Sequence, residues 1–137
     1  MGLRDIGAVK DTTDVELYHP ATAEPLLNAD KTTMTITVHG PYSENFKAVQ
    51  RAQMNRRLAR AQRAGRGTEI KAEQVEAETL EQLIKCVEAW NITVKDEPEP
   101  FSEDNVRAVF EEFPWVREQV ESVFGDTRAF LETSAKT

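Results

Sequence analysis

In the stretch Thr33-Met34-Thr35-Ile36-Thr37-Val38-His39-Gly40-Pro41-Tyr42-Ser43-Glu44 the periodicity of the chain changes, and that change decides the fold. Met34, Ile36 and Val38 alternate with Thr33, Thr35 and Thr37, the period of a strand with one buried and one polar face. Gly40 and Pro41 break the strand. Ser43 then offers a side-chain oxygen to the unpaired amides of a helix start, and Glu44 places negative charge in the first turn, where the helix dipole favours it.

Toward the N-terminus, Val15-Glu16-Leu17-Tyr18 repeats the alternation within residues 14–19. Pro20 and Pro25 flank the start of the connection and Asn28-Ala29-Asp30-Lys31 reads as its turn, so residues 14–39 are expected to form a long-looped β-hairpin. Toward the C-terminus a helix is expected over 44–64, stopped by Gly65 and Gly67. On its wheel Phe46, Met54, Leu58, Ala61 and Ala64 share one side, interrupted by Gln50, Gln53 and Arg57, while Arg56, Arg60 and Arg63 form a stripe opposite. From Ala72 to Trp90 the residues Val75, Leu80, Leu83, Ile84, Cys86, Val87 and Trp90 cover half a wheel, which predicts a helix as far as Trp90.

A short extended piece over 92–94 and a charged, proline-bounded connection over 95–100 follow. Ser102 caps a helix carrying Val106, Val109, Phe110 and Phe113, and Pro114 opens another with Val116, Val120, Val123 and Phe124 on one side. Gly125 ends it, and Asp126 caps a last turn with Phe130 and Leu131. The expected fold is α+β and mainly α-helical: an N-terminal β-hairpin (14–39), a basic helix (44–64) and an acidic helical part (72–131), four or five helices in one domain over residues 1–137.

The chain carries a net charge of −7, but unevenly: residues 47–71 hold eight basic residues and one acid, Glu69, leaving the two flanks at −4 and −10. Such a block sits on a solvated face, meets a polyanion, or lies against acidic surface of its own chain or of a partner. As a nucleic-acid binder it would offer Lys47, Arg51, Arg56, Arg60, Arg63 and Arg66 to phosphates. Only Phe46 lies nearby to stack bases, and the acidic remainder repels a polyanion, so nucleic acid is not the expected partner. At 137 residues, 39% of them hydrophobic, the chain can bury a core without staples, and Cys86, the single cysteine, permits no internal disulfide. Residues 1–10 contain no apolar run of signal-peptide length and no stretch reaches the roughly 20 apolar residues of a spanning helix, so a cytoplasmic location is expected.

Candidate chemistry is sparse. His19 and His39 close the two expected strands and could approach one another in the hairpin, but two ligands do not make a closed metal site, and Cys86 lies on the apolar face of a helix. Gly65-Arg66-Gly67 lacks the preceding strand and the spacing of a phosphate loop. Acidic pairs such as Glu111-Glu112 and Glu97/Glu99 read as solvated faces. No catalytic residue, cofactor or metal site is expected.

The segment Leu83 to Val116 resembles the C-terminal signature of tail assembly chaperones from long-tailed, siphovirus-type bacteriophages. The residues that carry the resemblance are a helix ending in Trp90-Asn91-Ile92, an acidic turn, Pro100-Phe101-Ser102-Glu103-Asp104-Asn105-Val106 opening a helix, and Phe113-Pro114-Trp115-Val116. It implies a non-enzymatic protein of the infected bacterial host's cytoplasm that coats the tape measure protein, helps recruit tail tube protein and is absent from the mature virion; self-association along the client is a further option for such a protein. The candidate partner-binding residues are Phe46, Arg56, Arg60, Arg63 and Trp115. Two other readings stand beside it: a structural virion protein of the tail or head-tail junction whose hairpin adds strands to a neighbour, and a small nucleic-acid-associated protein using the arginine helix.

Overall fold

A computed structural model describes residues 2–64 and 71–131. Strands β1 (Thr12–Glu16), β2 (Thr35–His39) and β3 (Val87–Asn91) form an antiparallel sheet in the order β1-β2-β3. Helix α1 (Glu44–Ala64) follows β2, and α2 (Ala72–Cys86) leads directly into β3. A two-stranded ribbon of β4 (Thr93–Lys95) and β5 (Glu97–Pro98) connects to α3 (Glu103–Glu112) and α4 (Pro114–Phe124); one 3-10 turn, Leu3–Ile6, precedes β1 and another, Thr127–Phe130, follows α4. The fold is α+β and mainly helical, with the hairpin at its N-terminal end, as the sequence predicts.

β2 is the middle strand, and its alternation builds the core. Ile36 and Val38 are fully buried, facing Val15 on β1 and Trp90 and Val87 on β3. Against this layer pack Leu83 and Ile84 of α2, Val106, Val109 and Phe110 of α3, and Val116 and Val120 of α4. Burying each such side chain stabilises the fold by roughly 1.5–3 kcal/mol. The long connection between β1 and β2 is held by side chains rather than by a tight turn. Asn28, nearly buried, donates from Nδ2 to the Asn91 carbonyl and accepts from Thr93 Oγ1 at 2.6 Å, while Gln119 of α4 brackets the Tyr18 backbone through both amide atoms. Lys31 closes the turn in the left-handed region at φ 70°.

β1 lies two to three residues earlier than the expected 14–19, part of the expected 95–100 connection pairs as β5, and the largest departure from expectation follows α2. The helix predicted to reach Trp90 ends at Cys86, and four of the next five residues pair with β2. Val87, Trp90 and Ile92 satisfy either period locally, and no glycine or proline marks the switch. The open edge of β2 decides it, because a strand bordered on one side only leaves its other amides and carbonyls unpaired. A bulge at Glu88, where Thr37 faces Ala89 and Val38 faces Val87, lets Val87 and Trp90 both reach the core side. Trp90 also donates from Nε1 to the Glu99 carbonyl and meets Phe101 edge-on at 5.6 Å. The helix starts follow the sequence: Ser43 Oγ accepts from the Phe46 amide, Ser102 Oγ from the Asn105 amide, and Pro114 fills the first position of α4. Gly65 and Gly67 lie outside the described residues.

Gly40, between β2 and α1, sits against the ring of the fully buried Phe130, and a Cβ on it would come within 2.6 Å of that ring. Two tests follow. Gly40→Ala is expected to cost about 1–3 kcal/mol by overpacking, and Trp90→Ala a few kcal/mol, on the order of other large-to-small core changes; urea denaturation measures both. A near-neutral Trp90→Ala would place that ring on a free surface instead.

Candidate functional site

The basic helix α1 and the acidic helix α2 run antiparallel, and the side of α1 that packs is its polar one. Gln53, only 5% exposed, lies at the centre of the contact. Its Nε2 donates to the Glu78 carbonyl at 3.0 Å and to Glu81 Oε1 at 2.7 Å, and its Oε1 accepts from Gln82 Nε2 at 2.8 Å. Arg56 pairs with Glu81 at 2.5 Å, Arg57 forms a two-pronged pair with Glu78, and Arg60 reaches the other oxygen of Glu78 at 3.9 Å. The Arg57 guanidinium beside Glu78 and the Arg56 guanidinium beside Glu81 hold both carboxyls below their ordinary value; the same pairs raise the two arginines. Antiparallel packing explains the matching, since each step up α1 meets a step down α2.

Among the described residues the buried apolar side chain of α1 lies near its N-terminal end. Phe46 is buried and meets Phe124 of α4 edge-on at 5.0 Å. Met54 and Leu58, assigned by the wheel to the same stripe as Phe46, point outward and are 52% and 55% exposed. At 100° per residue Lys47, Arg51, Met54 and Leu58 fall within an arc of about 60°, so α1 presents outward a narrow stripe in which two cations are followed along the axis by an apolar pair. Lys47 and Arg51 are exposed.

The structure divides the sequence candidates. Arg56 and Arg60 are not a free face: both are engaged by Glu81 and Glu78 of the same chain, with Arg63 on their flank, exposed near the helix end. Phe46 is a core anchor. Trp115 is half-buried, stacked edge-on against Phe113 at 6.0 Å, and lines an apolar cleft of about 190 Å³ with Leu17, Leu26, Ile92 and Val109. A second, polar cleft of about 320 Å³ opens between α1, α2 and α3, lined by Arg56, Arg60, Glu78, Glu81 and Arg107. Sequence reasoning missed Gln53, Arg57 and Arg107 as site residues; the signal available was Glu78 and Glu81 one turn apart on α2, complementary to arginines one turn apart on α1.

The histidines lie apart. Thr12 pairs with His39 and Glu16 with Thr35, which puts His39 at one end of the hairpin and His19, beyond Glu16, at the other. His19 Nδ1 accepts from the Ala21 and Thr22 amides, and His39 lies 3.9 Å from Glu88. Burial pushes the Cys86 thiol up to about 12, which keeps it protonated and unreactive at neutral pH. Among the described residues no helix is long and apolar enough to cross a membrane, and no three His, Cys, Asp or Glu side chains are grouped to hold a metal ion. Compared with protein families, with curated proteins and with solved structures, the chain matches none of them.

Because Glu78 and Glu81 titrate below the ordinary glutamate value of 4.5 when folded, they bind fewer protons in the folded than in the unfolded chain between those two values. Their contribution to stability is therefore complete above pH 4.5 and is lost as pH falls through the lowered values. A denaturant midpoint measured from pH 7 down to pH 3 is expected to drop below pH 4.5, and to drop less in Glu78→Gln, which lacks one of the two titrating groups.

Proposed function

We propose that this protein is a non-enzymatic phage tail assembly chaperone, which binds the tape measure protein during assembly in the host cytoplasm, helps recruit tail tube subunits and leaves before the particle is complete. The observation that carries the reading is the outer face of α1, where Met54 and Leu58 are more than half exposed on the same stripe as the exposed Lys47 and Arg51 that precede them. A helix of 21 residues extends about 30 Å, and one side of it is committed to α2. Its other side suits a helical client laid along it, apolar residues meeting apolar and cations meeting acids.

The resemblance supports the same reading. The residues that carry it form one connected part of the body: Trp90 bonded to the Glu99 carbonyl, Phe101 on Trp90, Ser102 capping α3, and the Phe113–Trp115 corner opening α4. They brace a scaffold rather than surround a reactive group. Shielding a long, aggregation-prone helical client requires surface and reversibility, and no bond-breaking step.

The test is co-expression with the tape measure protein of the same phage. The wild-type chain is expected to keep that client soluble and to co-purify with it. Met54→Asp with Leu58→Asp should abolish both effects while changing the unfolding midpoint little, since exposed substitutions usually shift stability by within about 0.5 kcal/mol. Mass spectrometry of purified particles should find no copy of the chain; stoichiometric recovery there would make it a structural component of the virion instead.

A further inference from the structure

We infer that the polar cleft between α1, α2 and α3 is a carboxylate-binding site, and that it takes an acidic helical segment of a partner protein. The site goes beyond the outer face of α1, because Arg56 and Arg60 lie on the flank of the helix turned away from Met54 and Leu58.

The cleft has a surplus of positive charge. Arg56, Arg57, Arg60 and Arg107 converge on two carboxylates, Glu78 and Glu81, leaving two cations in excess. Arg60 holds Glu78 only at 3.9 Å, beyond hydrogen-bond length, so its guanidinium keeps donors to spare. Arg107 comes from α3, on the far wall, and among the described residues no carboxylate pairs with it; Glu103, one turn before it, is drawn to Lys85. Gln74 adds an amide to the rim. The space of about 320 Å³ between these groups accommodates a side chain with its bound water.

The pitch of the donors selects the ligand. Arg56 and Arg60 are four residues apart on one helix, about 6 Å along its axis, and each keeps donors beyond its partner in the chain, since Arg56 reaches Glu81 through Nη2 alone and Arg60 lies 3.9 Å from Glu78. A partner helix with Glu at positions i and i+4 presents carboxylates at that spacing, and guanidinium forks bind carboxylates in a planar, two-pronged fashion. A nucleic acid fits less well. No aromatic side chain lines the cleft to stack a base. The chain's net charge of −7 does not forbid a short acidic segment, because charges beyond the screening length of about 8 Å at physiological salt are largely masked.

The experiment titrates the full chain with a fluorescently labelled Ala-rich helical peptide carrying Glu at i, i+4 spacing, followed by anisotropy. Binding is expected to weaken as salt rises, at least about fivefold in Arg107→Ala and in Arg60→Ala, with Arg4→Ala, an exposed guanidinium in the N-terminal turn, close to wild type. Arg107 is exposed and, among the described residues, has no ion-pair partner, so its removal should leave the circular dichroism spectrum intact even if Arg60→Ala loosens α1. Inorganic phosphate and a single-stranded oligonucleotide are run as competitors and should displace the peptide poorly. The proposal is overturned if the peptide does not bind, if Arg107→Ala binds it as wild type does, if Arg51→Ala on the outer face weakens it as much, or if the oligonucleotide binds more tightly than the peptide. These outcomes concern the cleft alone and leave the tape-measure test, read through Met54 and Leu58, to stand or fall separately.

Discussion

Helix α1 is attached to the rest of the protein mainly by guanidinium–carboxylate pairing and one buried amide, and the other features of the molecule follow from that attachment. Arg56, Arg57 and Arg60 meet Glu78 and Glu81 around Gln53, which has every polar atom engaged. Single exposed ion pairs contribute little to stability. Here several share members: Glu78 serves two arginines and, through its carbonyl, Gln53, so ordering one side chain lowers the entropy cost of ordering the next. Three arginines of the basic block thereby meet two carboxylates of the chain's own acidic half, and α1 needs little apolar burial beyond Phe46.

That economy in apolar burial links the fold to what the protein can do. The sheet and helices α3 and α4 consume nearly all the large buried side chains, with Ile36, Val38, Val106 and Val120 fully inaccessible. Asn28 ties the β1–β2 connection to the start of β4, and Gly40 lets Phe130 close over the junction where the strand becomes the helix. The body is thus braced independently of α1's outer face. A rigid body bearing one long helix, clasped along a single side, has a surface whose residues can be exchanged or covered without disturbing the core.

Much of this was legible in the residues. The strands at Val15 and Ile36, the bounds of α1, and the caps at Ser43, Ser102 and Pro114 are written in short-range chemistry, where a hydroxyl, a proline or a period of two acts within four residues. Strand β3 was not, because Val87-Glu88-Ala89-Trp90 continues the helical pattern of Leu83 and Ile84, and the need that converts it, a second partner for β2, lies 50 residues away. The contact face of α1 was misread for a related reason. A hydrophobic wheel assumes that the apolar side packs, whereas here the polar side finds a matching polar side. Only the pairing of Arg56 and Arg60 with Glu78 and Glu81 between two antiparallel helices could have revealed it. The cleft depends further on Arg107, brought from α3 by tertiary packing, which no local pattern announces.

The exposure of Met54 and Leu58 is a consequence of this choice of face. Turning α1 to bury them would gain only part of the roughly 1.5–3 kcal/mol that full burial of such a side chain supplies, because each is already nearly half covered. The same turn would carry Gln53 away from Glu78, Glu81 and Gln82, and an orphaned buried amide costs about 1–3 kcal/mol. It would also leave Glu78, whose side chain is 13% exposed, without Arg57 and bring Lys47 and Arg51 toward the core. The polar clasp therefore wins, and the apolar pair stays outside. A chain that places its strongest intramolecular pairing on one side of a helix is left with an outward side whose apolar residues remain available to another molecule.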